Sequence, residues 1–328
     1  MWKFKNLEIN GKVVLAPMAG VTSEGYRKFM HKFGVNLSYT EMVSDMGLIY
    51  DNDETNNYVD FDNSCSPCGV QLFGHDPITL AKAALICEKK NDNISFYDIN
   101  MGCPVPKVTK PGSGSALMQN PVLCSDIIKQ IKKVTNKPIS AKIRLGYQDI
   151  NFMDVIDSLQ NAGVDMIAIH GRTRNEYYYG LPHYELLKNL QSKMSVPLVI
   201  SGNIFTLDDA INALDITGAQ AVMVARGGIG NPYLIKQIST YYRTGEKLCS
   251  SSLNDSLNYC LDLAKYLIEE KGEDKAIRIF KGIGPKFLHG FPHAKEFKVK
   301  MSTSINTYND LETLIDEIRK SINDTFDY

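Results

Sequence analysis

The chain has no apolar run of eighteen or more residues, and its opening Met1-Trp2-Lys3-Phe4-Lys5 lacks the apolar core of a secretory leader. Neither a spanning helix nor a signal peptide is expected, and the expected setting is cytoplasmic and reducing. An excess of one charge is missing too: 36 Lys and Arg stand against 37 Asp and Glu, a formal net charge of −1. Any contact with nucleic acid must then come from a local patch rather than from the whole surface. Cysteine is scarce and odd in number, seven in 328 residues, which does not suit a disulfide framework. Cys65-Ser66-Pro67-Cys68 has CxxC spacing, but no second pair stands at zinc-ligand distance, so surface-loop thiols are expected. No GxGxxG follows the first predicted strand, which argues against a Rossmann-type dinucleotide site.

What is present is a repeated strand–loop–helix pattern. Short runs rich in Val, Ile and Ala predict eight strands, at Val13–Met18, Leu37–Met42, Gly69–Phe73, Ile94–Ile99, Pro138–Ile143, Asp165–His170, Val196–Gly202 and Ala219–Ala225. Helices are predicted between several of them, at Ser23–Phe33, Pro77–Lys89, Pro121–Val134, Asn151–Ala162 and Leu207–Thr217. Eight β units alternating with helices point to an α/β fold closed as a (β/α)8 TIM barrel. From about Thr240 helical periodicity takes over, with Leu257, Leu261, Leu263, Ala264 and Leu267 and later Leu311, Leu314, Ile315 and Ile318. A barrel domain over residues 1–238 and a small all-helical domain over 239–328 are the expected organisation.

One stretch gathers the chemistry. The strand ending in Asp98-Ile99-Asn100-Met101-Gly102-Cys103-Pro104 delivers a thiol to its C-terminal end, and a mobile basic loop with Lys107, Lys110 and Gly112-Ser113-Gly114 is expected after it. In this architecture the active site forms where the strands end. Those ends carry Pro17 and Met18, Glu41, Gln71, Asn100 and Cys103, Lys142 and Arg144, His170 and Arg172, Gly202 and Asn203, then Ala225 and Arg226. Taken alone, Gln71 could satisfy a loop and His170 could be a hydrogen-bonded interior histidine. Lys142 lies inside an apolar strand and needs an anionic or polar partner to offset its desolvation. Ser201-Gly202-Asn203 and Ala225-Arg226-Gly227-Gly228 suit tight βα turns. They equally suit a phosphate held by backbone N–H groups and a guanidinium. With Lys142 and His170 nearby in the same census, a phosphorylated cofactor is expected.

The motifs Leu15-Ala16-Pro17-Met18-Ala19-Gly20, Val70-Gln71-Leu72-Phe73-Gly74, Asp98-Ile99-Asn100-Met101-Gly102-Cys103-Pro104, Ala141-Lys142-Ile143-Arg144, Ile169-His170-Gly171-Arg172-Thr173-Arg174 and Ser201-Gly202-Asn203-Ile204 stand in a distinctive order and spacing. In these the chain resembles the tRNA-dihydrouridine synthase family, most closely its bacterial B-type branch. The resemblance covers roughly residues 10 to 235 well and the helical tail more loosely. It implies an FMN-dependent enzyme that uses NADPH (or NADH) to reduce the 5,6 double bond of specific uridines in tRNA. By the same resemblance Pro17, Met18 and Ala19 would lie against the flavin ring, and Gln71, Lys142 and His170 would bond its polar edge. Ser201, Gly202, Asn203, Ala225 and Arg226 would hold its phosphate. Cys103 would be the proton donor, and Asn100, Arg144 and Arg172 would line the uracil pocket. The loop with Lys107 and Lys110 would close over the base as a lid.

Between Lys275 and Lys300 the cations Lys275, Arg278, Lys281, Lys286, Lys295, Lys298 and Lys300 face a single acid, Glu296, with Phe287, His289 and Phe291 interleaved. This local patch suits RNA phosphate, and Lys281, Lys286 and Lys298 are its expected contacts. A solvated helical face would read the same way. Here the chain departs from its relatives: Lys281-Gly282-Ile283 stands where they carry a basic triplet ending in histidine, and Gly284-Pro285 is expected to break a helix. Two other readings compete, an FMN barrel acting on free pyrimidines and a flavin-free RNA-binding protein on a retired barrel. No protein partner is implied, and which uridine is reduced is not legible.

Overall fold

The structure is a computed structural model that describes residues 1–291 and 293–326. By contacts the chain divides into two compact units, one of residues 1–19 and 36–225, the other of Gly20–Val35 with Arg226 onward. This is not a single cut at 238/239, because the first helix of the barrel pattern belongs with the C-terminal helices.

The first unit begins with an antiparallel hairpin, β1 (Trp2–Phe4) and β2 (Leu7–Ile9), that the alternation of apolar residues did not announce. Eight parallel strands follow: β3 (Val13–Leu15), β4 (Ser38–Ser44), β5 (Cys68–Phe73), β6 (Phe96–Met101), β7 (Ile139–Ile143), β8 (Met166–His170), β9 (Leu198–Ser201) and β10 (Ala221–Val224). Their order is β3-β10-β9-β8-β7-β6-β5-β4. The ring closes where Val14 bridges Leu37 in parallel and the Leu15 N–H donates to the Leu37 carbonyl at 2.9 Å. The expected (β/α)8 barrel is thus present, with one departure. Between β8 and β9 no α-helix forms among the described residues, only 3-10 turns at Tyr184–Leu187 and Leu190–Lys193.

Alternate residues of a strand face opposite ways, and along the inner face the chemistry changes with height. Near the strand starts Phe96, Met166, Val199 and Ala221 form one cluster with Trp2, Phe4 and Ile9 of the hairpin, which seals that end. Phe4 and Phe96 meet edge to face at 5.1 Å. Gly69 makes room for this ring, since a Cβ there would lie 2.3 Å from Phe96. Two and four residues further along β6 the same face carries Asp98 and Asn100. The register sets Asp98 beside Gln71 and Ser140, and Asn100 beside Lys142. The barrel is therefore oily at its N-terminal end and polar towards its C-terminal end.

The second unit is helical. The helix Glu24–His31 packs on the helix Leu253–Lys271 through Phe29 against Tyr266, and Phe33, just past its end, meets Tyr259. Gly25 allows the close approach, since a Cβ there would lie 2.4 Å from the Tyr266 carbonyl oxygen. Glu270 reaches back to accept from the Gly25 N–H at 2.8 Å and the Ser23 hydroxyl at 2.7 Å, satisfying an open N–H of the helix start. The helix Glu273–Ile283 ends at Gly284-Pro285, as expected, and a 3-10 turn over Gly284–Leu288 follows. No helix among the described residues is long and apolar enough to cross a membrane.

Candidate active site at the C-terminal mouth of the barrel

The loop after β6 is folded rather than loose. It forms a short helix at Pro106–Thr109 and a 3-10 turn at Gly114–Gln119, with Val108, Thr109, Ser113 and Ser115 buried. Ser115 fastens it to Cys103, its N–H and hydroxyl donating to the Cys103 carbonyl at 3.1 and 2.9 Å. Gly114 has a positive φ of 61° and lies against Cys103, where a Cβ would meet the Cys103 carbonyl oxygen at 2.9 Å. The thiol itself is partly exposed. Burial raises its pKa, opposed by the Val105 N–H and by the charges of Lys142 and Arg144. A thiol at or above its ordinary value stays protonated at neutral pH.

Cys103 is held from behind by Asn100, whose Oδ1 accepts from the Cys103 N–H at 2.8 Å and the Gly102 N–H at 3.2 Å. The Asn100 Nδ2 donates to Gln71 Oε1 at 2.8 Å and meets the Met42 sulfur at 3.0 Å. An asparagine has two donors and two acceptor sites, and all four are taken within the protein. Gln71 Nε2 in turn donates to Asp98 Oδ2 at 2.6 Å, and Ser140 Oγ donates to Asp98 Oδ1 at 2.6 Å. Asp98 is 0% exposed, and burial pushes its pKa up to about 6, opposed by the Ser140 and Gln71 hydrogen bonds and by Lys142.

Lys142 stands beside Asn100 on β7 and is only partly exposed. Burial and the Arg144 charge lower its pKa to about 8, with Asp98 and Cys103 pulling the other way. Among the described residues no hydrogen bond to its ammonium is found, so this cation is short of a polar partner.

The two arginines serve the loop after β8. Arg144 donates through Nε to the Gly102 carbonyl at 2.7 Å and through Nη1 to Thr173 O and Tyr177 O at 2.9 and 2.8 Å. Its guanidinium also lies 5.5 Å from the Tyr178 ring centre. Arg172, at 0% exposed, donates to the carbonyls of Tyr179 and Gly180 and to Asn203 Oδ1 at 3.0 Å, and meets His170 Nε2 at 3.3 Å. His170 is buried and stands edge-on to Tyr178. Both of these uracil-pocket candidates are thus bonded chiefly to backbone carbonyls of the loop after β8.

Of the remaining candidates, Pro17 and Met18 are half-buried and Ala19 exposed just past β3. Ser201 is buried at the end of β9. Gly202 follows, its carbonyl accepting from the Tyr184 hydroxyl, and Asn203 takes a positive φ of 48°. Ala225 is half-buried after β10, and Arg226, exposed, begins the longer segment of the second unit. In that unit Lys286 is exposed, Lys298 is half-buried, and Lys281 donates to Asn306 Oδ1 at 3.4 Å. The expected surface thiols Cys65 and Cys68 are instead buried, Cys68 as the first residue of β5. No cluster of metal-binding side chains is found among the described residues. Sequence reasoning passed over Asp98, Ser140, Met42, Tyr178 and Tyr184. An aspartate two residues before Asn100, on the same face of a strand, was the available signal.

A family model described as "Dihydrouridine synthase (Dus)" matches residues 14–323. The chain belongs to the dihydrouridine synthase family. It is 32% identical over 322 residues to a probable tRNA-dihydrouridine synthase of Rickettsia bellii, covering 97% of each chain. It is 33% identical over 273 residues to tRNA-dihydrouridine synthase B of Shewanella oneidensis, covering 83% of this chain and 84% of the relative. Such relatives support the bacterial B-type branch. Among solved structures, the old yellow enzyme homologue of Zymomonas mobilis superposes with a TM-score of 0.53 at 12% identity. The match covers 78% of this chain and 94% of that one. At that identity the likeness speaks for the barrel fold.

Proposed function

We propose that this chain is a tRNA-dihydrouridine synthase that reduces the 5,6 double bond of uridines in tRNA at the mouth built around Cys103. The observation that carries the reading is a pairing: the half-buried thiol of Cys103 lies within electrostatic reach of Lys142, an ammonium for which no hydrogen bond is found among the described residues. That ammonium would bond the electron-rich edge of an FMN ring together with His170, and Gln71, its amide already bonded to Asp98 and Asn100, would back that edge, with Pro17, Met18 and Ala19 against the ring face. Ser201, Gly202, Asn203, Ala225 and Arg226 would take the phosphate. When bound, FMN supplies a hydride drawn from NADPH (or NADH), which is oxidised in exchange.

The chain's own residues supply the rest. Cys103 gives its proton to carbon five of the uracil while carbon six receives the hydride, and the thiolate left behind is reprotonated from solvent. Asn100 holds the thiol's backbone in place. Arg144 and Arg172 hold the loop over residues 173–180, and with Asn100 they would line the uracil pocket. The base has to leave its stack to enter such a mouth, so the substrate is an unpaired or extruded uridine. Lys281, Lys286 and Lys298 in the helical region, 239–328, would take the RNA phosphates. A tRNA substrate suits a cytoplasmic protein.

The test is direct. Purified protein should be yellow, and with NADPH it should form dihydrouridine in unmodified tRNA while leaving free uracil unchanged. Reduction of free uracil without action on tRNA would favour a free-pyrimidine reductase, and colourless protein that binds tRNA would favour an RNA-binding protein.

A further inference from the structure

The connected side chains behind Cys103 have a direction, and it originates in a residue that touches neither thiol nor solvent. We propose that Asp98 is a positioning residue that sets the orientation of two successive amides, Gln71 and Asn100, and through them fixes the backbone of Cys103. The inference rests on the reading of Cys103 as the proton donor for its consequence in turnover, but not for its geometry.

An ionised carboxylate can only accept hydrogen bonds. Both Asp98 oxygens therefore demand donors, and they receive the Ser140 hydroxyl and the Gln71 Nε2, each at 2.6 Å. With its NH2 turned to Asp98, Gln71 must present Oε1 to Asn100. Asn100 answers with Nδ2 at 2.8 Å. Its Oδ1 is then the atom left facing the N–H groups of Gly102 and Cys103. Reversing Asn100 would set donor against donor at the Cys103 N–H, and reversing Gln71 would set acceptor against acceptor at Asp98 and donor against donor at Asn100; an unmade bond to a buried group is expensive. Asp98 and Gln71 are 0% exposed and Asn100 5%, so water cannot repair a reversed amide. No other charged oxygen bonds to either amide among the described residues.

The experiment uses the holoenzyme and begins with Asp98→Asn, which keeps the shape but abolishes the acceptor-only character. The amide introduced at 98 can satisfy Gln71 in either orientation. Hydrogen exchange of the peptide spanning Cys103, read by mass spectrometry, is expected to quicken about fivefold or more at the Cys103 amide. Strands on the far side of the barrel, β9 and β10, should keep their wild-type protection. Adding Asn100→Asp puts an acceptor-only group where Cys103 and Gly102 need one, and a reversed Gln71 can now donate to it. The pair Asp98→Asn with Asn100→Asp should therefore recover most of the lost protection at Cys103.

Unchanged exchange at Cys103 in Asp98→Asn would overturn the proposal. So would loosening that spreads evenly over the barrel and is not recovered in the pair, since that describes a bulk structural role. Turnover is read separately. If Cys103 is the acid, Asp98→Asn should slow dihydrouridine formation at least tenfold with flavin reduction by NADPH intact. If exchange responds and turnover does not, the relay stands and the acid assignment of Cys103 falls.

Discussion

Lys142 offers the sharpest conflict between stability and function in this fold. Its pKa is lowered from 10.5 to about 8, chiefly by burial, so folding confines a cation in surroundings that disfavour it. The difference corresponds to roughly 3 kcal/mol at full effect, and partial exposure and the attraction of Asp98 reduce what a substitution recovers. The sign follows from linkage: a lysine with a lowered folded pKa depresses stability below about pH 8. That penalty fades as pH rises towards the ordinary lysine value, where the unfolded chain also loses its proton. Lys142→Met is close in volume and removes the charge. Measured by urea unfolding on flavin-free protein at pH 7, the variant should be more stable than wild type by about 1–3 kcal/mol. The gap should narrow at pH 10. The same variant should purify with much less flavin. If it is less stable than wild type at pH 7, the ammonium is a structural ion pair rather than a cation held for a ligand, and the reasoning fails.

Further consequences can be checked alongside. Arg172→Ala would strand the carbonyls of Tyr179 and Gly180 and the Asn203 side chain inside the protein, and should destabilise by about 3–5 kcal/mol in denaturant unfolding. A loss under 1 kcal/mol would contradict the role given to it (compare about 1–3 kcal/mol for a single unsatisfied buried group). Changing Lys281, Lys286 and Lys298 together to Gln should weaken tRNA binding and flatten the slope of log affinity against log salt by about 2 to 3. Equal affinity across all salt concentrations would remove the patch from the RNA interface.

Much of the architecture was legible because eight short apolar runs and the residues that end them obey simple periodicities. The strands expected at Gly69–Phe73 and Pro138–Ile143 form at Cys68–Phe73 and Ile139–Ile143, and the helix Leu207–Thr217 forms as expected. The hairpin of β1 and β2 was not, because its strands are three residues each and too short for a period to show. Nor was the packing of Glu24–His31 with the C-terminal helices, which depends on contacts between segments more than two hundred residues apart. At the site, the resemblance gave Cys103 to proton transfer, Lys142 and His170 to the flavin, and Asn100, Arg144 and Arg172 to the uracil. Side-chain geometry adds bonds within the protein, from Arg144 and Arg172 to the loop after β8 and from Asn100 to Gln71 and the Cys103 N–H, and bonding directions of that kind are invisible in a string of letters. Asp98 was hidden for the same reason. It looked like one polar residue in a buried strand until its neighbours across the sheet were in place.

The central claim, that Cys103 donates the proton, is tested most directly by Cys103→Ala followed in its two halves. NADPH should bleach the flavin absorbance of the variant at the wild-type rate, whereas dihydrouridine formation in tRNA should fall by about 10²- to 10⁴-fold. Full dihydrouridine formation by Cys103→Ala would contradict the account.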